Sequence, residues 1–120
     1  MTERPQFLIV VFDGLRLDMV SAERMPNLHR FMKEGVSFPH SRSVFPASTR
    51  TNAAALATGA TPRRNGIMHN MYYDPNVFRD RMFRPNSATD IAAGMAAYSG
   101  ALLDTPGLAD VVTSAGLKVA

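Results

Sequence analysis

The most continuous run of hydrophobic positions lies near the start of the chain. Residues 7–12 are all apolar, rich in β-branched and aromatic side chains, and the run stops at Asp13 and Gly14. An apolar run without alternation is typical of a strand that is buried on both faces of a parallel sheet. The pattern therefore predicts a strand over residues 7–12, with Asp13 at its carboxyl end.

Helical spacing of apolar residues follows this run. Pro26 suits the first turn of a helix, apolar residues follow at helical spacing, and Gly35 offers a left-handed stop. These signals predict a helix over residues 26–34. Short strands are predicted over residues 36–38 and, at the end of the chain, over residues 117–120.

A second helix is predicted between Ser48 and Gly59. Hydroxyl residues cap its start, alanines of high helix propensity fill its body, and a glycine ends it. Residues 61–88, rich in Asn, Pro, Arg and Met, are predicted to be irregular, with one strand-like segment at residues 71–73. A loop of this length inside a domain is more often functional than idle.

Two further helices are predicted, over residues 92–98 and 105–116. Strands that alternate with helices predict an α/β fold around a mostly parallel sheet. No internal repeat or linker divides the chain. We therefore expect residues 1–120 to form the amino-terminal portion of a single domain. The unfinished strand at residues 117–120 leads us to expect that this domain continues.

Composition and charge narrow the classes of function. Thirteen Lys and Arg against ten Asp and Glu give a formal charge of +3, a weak indication of an anionic partner. The basic residues form no dense stripe with aromatics, so a nucleic-acid polymer is not expected. The absence of cysteine excludes disulfides, thiolate-bound zinc and a thiol nucleophile. The apolar run is too short for a signal peptide or a membrane span, so the chain as written is expected to be cytoplasmic, or periplasmic or secreted if an upstream signal exists.

Several short segments occur in a characteristic order along the chain. They are residues 9–16, 25–28, 45–52, 58–59 and 65–67. In this order they resemble the type I phosphodiesterase/nucleotide pyrophosphatase family of the alkaline phosphatase superfamily, most densely between residues 7 and 70. The resemblance implies an alkaline-phosphatase-like three-layer sandwich around a mostly parallel sheet, present only in part. It also implies hydrolysis of phosphodiester or pyrophosphate bonds.

The resemblance assigns roles to three residues. The strand-end aspartate of the family binds a divalent metal, the threonine that opens the helix is the nucleophile, and an asparagine three residues on holds a phosphoryl oxygen. The matching residues here are Asp13, Thr49 and Asn52. The implied chemistry is a phosphothreonine intermediate with two divalent ions, by resemblance zinc, one of which also contacts Thr49. The remaining ligands are expected after residue 120, so these 120 residues alone are expected to be inactive.

Physical chemistry agrees with these roles. A hydroxyl must be activated by a base or by a metal, and no histidine lies near Thr49 in sequence. The unpaired N–H groups of a helix start favour phosphate, and Asn52 follows one turn later. Taken alone, Thr49 would more often be a helix cap, Asp13 a turn residue and Asn52 a surface residue. Their combination favours the functional roles, with Ser48 as the nearest alternative to Thr49 as the nucleophilic hydroxyl.

We expect the histidines to be structural or exposed; they are His29, His40 and His69.

Other functions remain open at this point. A phosphonate hydrolase or a phosphomonoesterase of the same superfamily would use the same motif, because specificity lies in loops such as residues 71–86. The sulfatase branch is less favoured, since it needs a Cys or Ser in a different motif. A non-catalytic basic α/β binding module is favoured only if the chain is complete. The expected partner of the enzyme is a small phosphorylated molecule such as a nucleotide.

Overall fold

The computed structural model of the protein describes residues 6–120. A short 3-10 helix spans Leu17–Met19, and the α-helices of the described residues are α1 Pro26–Glu34, α2 Thr49–Thr58, α3 Pro62–Asn65, α4 Ala88–Ala97 and α5 Leu108–Ser114. The chain divides into two compact units between Ser41 and Arg42, each described by itself below. The prediction of a single domain is not tested by this division and stays a prediction. None of the described helices is long and apolar enough to span a membrane.

The predicted strands are not present among residues 6–120. The β-pairing there is an isolated antiparallel bridge between Tyr72 and Phe83. Residues 7–12 pair with no neighbouring strand, and their side chains are 54–90% exposed. Residues 36–38 and 117–120 are not strands either. A parallel strand exists only through hydrogen bonds to its neighbours, so an apolar run predicts the residue types of a strand without supplying its partners. The predicted sheet is therefore not confirmed by the structure.

Helix α1 is the main element of the first unit. It begins at Pro26 and ends at Glu34, as predicted. The prediction of a left-handed Gly35 is wrong: its φ of −104° and ψ of −161° are extended. The helix ends instead by a change to extended backbone after the Gly35 N–H donates to the Phe31 carbonyl oxygen at 2.9 Å.

Helix α2 is the central element of the second unit and contacts both α3 and α5. It spans Thr49–Thr58 within the predicted range. Gly59 closes it in the left-handed conformation, with φ of 64°, while its N–H donates to the Ala55 carbonyl oxygen at 2.8 Å. The prediction of this helix and of its glycine stop is confirmed.

The segment after α2 is more ordered than the sequence predicts. It contains the short helix α3, whose Pro-Arg-Arg-Asn sequence offers no apolar spacing to reveal it. Asn65 at its end is fully buried and donates from Nδ2 to the Ala60 carbonyl oxygen at 2.9 Å, while its Oδ1 accepts from the Ile67 N–H at 2.9 Å. These two bonds close the chain into a compact turn between α2 and the residues that follow.

The loop between α3 and α4 packs around Phe83, which is 0% exposed. Its ring meets Tyr72 edge to face at 5.4 Å, and burial raises the pKa of Tyr72 to about 12. Gly94 of α4 permits this packing, because a Cβ there would lie 3.2 Å from the Phe83 ring and 2.9 Å from Leu102 Cδ1. The strand-like segment predicted at residues 71–73 contributes one bridge residue, Tyr72, to this structure.

A buried carboxylate, Asp90, fixes the same loop to α4. It accepts two hydrogen bonds from the Arg81 guanidinium, at 2.8 and 2.9 Å, and one from the Arg84 N–H at 3.0 Å. The bonds from Arg81, with those from Arg84 and Ser87, hold the pKa of Asp90 at about 2. Helix α4 begins four residues before its predicted start, because the Ser87 hydroxyl accepts from the Asp90 N–H at 3.3 Å and caps it.

Helix α5 is shorter than the predicted range of residues 105–116. It spans Leu108–Ser114, and its N-cap is Gly107. The Gly107 N–H donates to Asp110 Oδ2 at 2.7 Å. This bond fixes the start of the helix after Pro106, three residues later than the predicted start at residue 105.

Candidate active site

Thr49 lies at the first position of α2 and is exposed. The chain reaches it through a cis peptide bond between Phe45 and Pro46 and an extended Ser48, with φ of −115° and ψ of 152°. The Ser48 carbonyl oxygen accepts the first helical bond, from the Asn52 N–H at 3.0 Å. The helix start therefore presents the Thr49 side chain on the surface of the second unit.

The two hydroxyl residues on either side of Thr49 are arranged differently. Ser48 Oγ lies 2.7 Å from Thr51 Oγ1, and both residues are buried, with 9% and 0% of their surface exposed. Ser48 is the N-cap by backbone geometry, yet its side chain makes no capping hydrogen bond. Of the three neighbouring hydroxyl residues, Thr49 is thus the one that is exposed.

Asn52 connects the helix to the segment that precedes it. Its Oδ1 accepts from the Val44 N–H at 3.0 Å, and its Nδ2 donates to the Ser48 carbonyl oxygen at 2.9 Å. These contacts hold the backbone on both sides of the turn into α2. The structure places Asn52 in the same helical turn as Thr49, and its role with a phosphoryl group stays a prediction.

Sequence reasoning missed a second asparagine at this helix start. Asn70 lies outside α2, and its Oδ1 accepts from the Arg50 N–H at 2.9 Å. Because the oxygen faces the helix, the Nδ2 group is the part of this amide that can donate to an anion at the helix end. The sequence offers no local signal for this contact, since it depends on the path of the chain through the turn at Asn65 and Gly66.

Asp13 follows the apolar run in a turn and is exposed. It belongs to the first unit, whereas Thr49 and Asn52 belong to the second. The prediction that Asp13 shares a site with Thr49 therefore stays a prediction. Within residues 6–120, no three His, Asp or Glu side chains form a group that could hold a metal ion. His40 and His69 are exposed, and His29 is half-buried on α1.

Two other carboxylates, Asp18 and Asp74, make structural contacts. Asp18 forms an exposed ion pair with Arg16 at 2.6 Å. Asp74 accepts from the Asn76 N–H at 3.0 Å and from the Tyr98 hydroxyl at 2.7 Å, and the second bond raises the pKa of Tyr98. Asp18 thus lies in the 3-10 helix and Asp74 in a turn.

The family model of type I phosphodiesterase/nucleotide pyrophosphatase matches residues 7–120. The chain therefore belongs to this family, and the assignment from its motifs is confirmed. The match covers both units of the described structure, and it includes Asp13, Thr49, Asn52 and Asn70.

Individual relatives match over 70 to 77 residues of the chain. A bis(5'-adenosyl)-triphosphatase of Xenopus laevis is 40% identical over 70 residues, which are 58% of this chain and 16% of that protein. The human ectonucleotide pyrophosphatase/phosphodiesterase family member 5 is 34% identical over 61% of this chain and 15% of its own length. Venom phosphodiesterase 2 of Crotalus adamanteus is 30% identical over 62% of this chain and 10% of its own length. The chain thus spans about a sixth or less of these relatives, and no solved structure matches it.

Proposed function

We propose that the protein carrying this chain hydrolyses phosphodiester or pyrophosphate bonds of a nucleotide-containing substrate, with Thr49 as the nucleophile. The observation that carries the proposal is the position of Thr49, an exposed residue at the start of a helix whose other two hydroxyl residues in the first turn, Ser48 and Thr51, are buried. A helix start offers backbone N–H groups and positive dipole charge to a phosphate. The name of the Xenopus relative, a bis(5'-adenosyl)-triphosphatase, supports a substrate that contains a nucleotide.

The proposed reaction has two displacements at phosphorus. Thr49 Oγ1 forms a bond to phosphorus while the bond to the leaving oxygen breaks. The hydroxyl proton of Thr49 passes to solvent water, and the leaving group departs with the electron pair of the broken bond and takes up a proton from solvent. Water then attacks the phosphothreonine, which releases the phosphorylated product and restores the hydroxyl. N–H groups at the helix start stabilise the charge on the phosphoryl oxygens in both steps. A rigid helix start holds the nucleophile in line, which lowers the entropic part of the barrier.

We propose Asp13 as a ligand of one of two divalent ions, with Thr49 as a ligand once deprotonated. Carboxylate and alkoxide oxygens are donors that zinc accepts, so each of these residues is chemically suited to be a ligand. Further ligands are needed in either case, because zinc in proteins takes about four. When bound, a divalent ion would lower the pKa of a coordinated hydroxyl and polarise the phosphoryl oxygens.

We also infer that residues 7–12 belong to the sheet of an alkaline-phosphatase-like three-layer α/β sandwich, within one catalytic domain. All six side chains are apolar and more than half exposed in the described residues. Covering apolar surface contributes about 25 cal/mol per Å², so such a run is stabilised by packing on both faces. Family membership supports this architecture for the protein that carries the chain.

The substrate class is tested by comparing three substrates. The protein that carries this chain is assayed with zinc on bis(5'-adenosyl) triphosphate, a nitrophenyl phosphodiester and a nitrophenyl phosphomonoester. We expect the first two to exceed the monoester by about tenfold or more in kcat/KM, about 1.4 kcal/mol of transition-state binding. Preference for the monoester would instead support a phosphomonoesterase. Hydrolysis of none of the three would support the non-catalytic alternative, and a phosphonate ester as fourth substrate tests the phosphonate hydrolase.

The two asparagines at the helix start are separated by matched substitutions. Asn70→Asp and Asn52→Asp each keep the oxygen that accepts a backbone N–H and remove the amide donor. The contacts favour Asn70 as the phosphoryl donor, so we expect Asn70→Asp to lower kcat by about 10²–10³-fold, the usual cost of losing one such donor. Asn52→Asp loses its bond to the Ser48 carbonyl and should mainly lower the free energy of unfolding, by about 1 kcal/mol.

The outcome is read from kcat and from thermal unfolding of each variant. The opposite pattern, in which Asn52→Asp loses kcat at full stability while Asn70→Asp stays active, would assign the phosphoryl contact to Asn52. That result would support the role that the sequence resemblance gives to Asn52.

A further inference from the structure

The hydroxyl pair beside Thr49 is an unusual arrangement for a helix start. A serine at the N-cap normally accepts a hydrogen bond from the second or third N–H of the helix. Ser48 does not, because its Oγ is paired with Thr51 Oγ1 at 2.7 Å within a buried environment. The N–H of Arg50, a usual target of such a cap, is bonded to Asn70 from outside the helix.

The pair has a consequence for the hydroxyl that the site presents. We propose that Thr51 is a positioning residue for Thr49: its hydroxyl keeps the Ser48 hydroxyl in a buried pair, away from the helix N–H groups and from the exposed surface. Thr49 is then the hydroxyl that a substrate meets, and the Ser48 hydroxyl does not compete with phosphoryl oxygens for first-turn N–H groups other than that of Arg50, which is bonded to Asn70. This inference rests on the proposed function, in which Thr49 is the nucleophile.

Removal of the Thr51 hydroxyl would change the conformation of Ser48. A buried hydroxyl without a partner costs about 1–3 kcal/mol, so Ser48 Oγ would rotate to the nearest donors. The hydrogen-bond donors that an N-cap side chain usually reaches are the backbone N–H groups of the first helical turn. These groups have no acceptor within the helix itself. A capping Ser48 would compete with the substrate phosphoryl group for these donors and shift the Thr49 backbone.

The test uses variants of the protein that carries this chain. Thr51→Val removes the hydroxyl at nearly constant shape, Thr51→Ser keeps it, and Ser48→Ala/Thr51→Val removes both members of the pair. Thr58→Val is the matched control, because its hydroxyl bonds to the Ala54 carbonyl at the other end of the same helix. The measurements are the single-turnover rate of phosphoenzyme formation and KM, per folded molecule.

We expect Thr51→Val to slow phosphoenzyme formation by about tenfold to a hundredfold, as misplaced reacting groups do, with KM changed less. Thr51→Ser and the Thr58→Val control should react at near wild-type rates. The double variant should recover most of the rate, because no hydroxyl is left to compete for the helix N–H groups. Recovery of the rate in the double variant distinguishes a positioning role of Thr51 from a role in packing. If Thr51→Val were slow because packing was lost, the added Ser48→Ala substitution would not restore the rate.

The inference is overturned if Thr51→Val reacts at the wild-type rate, or if the folded double variant remains as slow as Thr51→Val. If Thr51→Val does not fold, the double variant carries the test: a near wild-type rate supports the inference, and a rate lowered tenfold or more overturns it. The variant Thr49→Ala distinguishes a failure of the proposed function from a failure of the inference about Thr51. An active Thr49→Ala removes the proposed function itself, whereas an inactive one with unaffected Thr51→Val removes only the role of Thr51.

Discussion

Thr49→Ala in the protein that carries this chain is expected to lower kcat by about 10⁴-fold or more, the scale seen when a covalent nucleophile is removed. No neighbouring side chain is placed to replace it. Ser48, one residue earlier, is buried in its pair with Thr51, and Thr51 is 0% exposed. Without the Thr49 hydroxyl, this helix turn has no exposed nucleophile that can form the bond to phosphorus. The measurement is steady-state kcat together with trapping of the phosphoenzyme.

Two controls accompany this variant. Thr49→Ser keeps a hydroxyl at the same place and should retain part of the activity, limited by the greater rotational freedom of serine. Ser48→Ala should cost much less than Thr49→Ala, since the structure buries that hydroxyl. Mass spectrometry of the trapped intermediate locates the phosphate. Phosphate on Ser48, or the absence of any covalent intermediate, would remove Thr49 as the nucleophile.

Helices α1 and α2 were the part of the fold that the sequence predicted well. Pro26 at the start of α1 and Gly59 at the end of α2 are local signals, because proline suits a first helical turn and glycine adopts a positive φ. Both act within one or two residues of the position they determine. The start of α4 was missed although Ser87 and Asp90 have the spacing of a cap, because the prediction followed the apolar residues from Ala92.

The strand predicted over residues 7–12 shows the limit of the same reasoning. Its apolar side chains indicate a strand that is buried on both faces of a sheet. The neighbouring strands that would bury it are distant in sequence. A helix closes its hydrogen bonds within four residues, whereas a parallel strand needs a crossover of a dozen residues or more. The described residues supply no strand to pair with this run, so its pattern has no structural counterpart among them.

In the candidate site, too, the feature set by local sequence was predicted and the contacts that depend on the fold were missed. Thr49 as the first helical residue follows from local spacing, and the structure confirms that position. The pairing of Ser48 with Thr51 was not predicted, because a serine before a helix is normally its cap. The contact of Asn70 with Arg50 was missed for a different reason: it depends on the buried Asn65, whose bonds turn the chain after α3.

Asp13→Asn is expected to lower bound metal and activity together in the protein that carries this chain. The carboxylate offers an anionic oxygen to a divalent ion, and the amide that replaces it is a neutral and weaker ligand. We expect metal affinity to fall by more than the 10- to 100-fold that loss of an outer-shell partner costs, with kcat/KM falling at least as far at limiting zinc. Elemental analysis of the purified protein, alongside kcat/KM over a zinc titration, measures both.

A neighbouring carboxylate provides the matched control for this variant. Asp18→Asn removes an exposed charge five residues later that pairs with Arg16, an interaction of a kind that contributes little to stability. It should leave zinc content and kcat/KM unchanged, which separates the loss of a ligand from a general loss of negative charge in the first unit. Excess zinc should restore part of the activity of Asp13→Asn, because a weakened site fills at higher ion concentration. Full zinc content with full activity in Asp13→Asn would remove Asp13 from the metal site, while leaving the test of Thr49 intact.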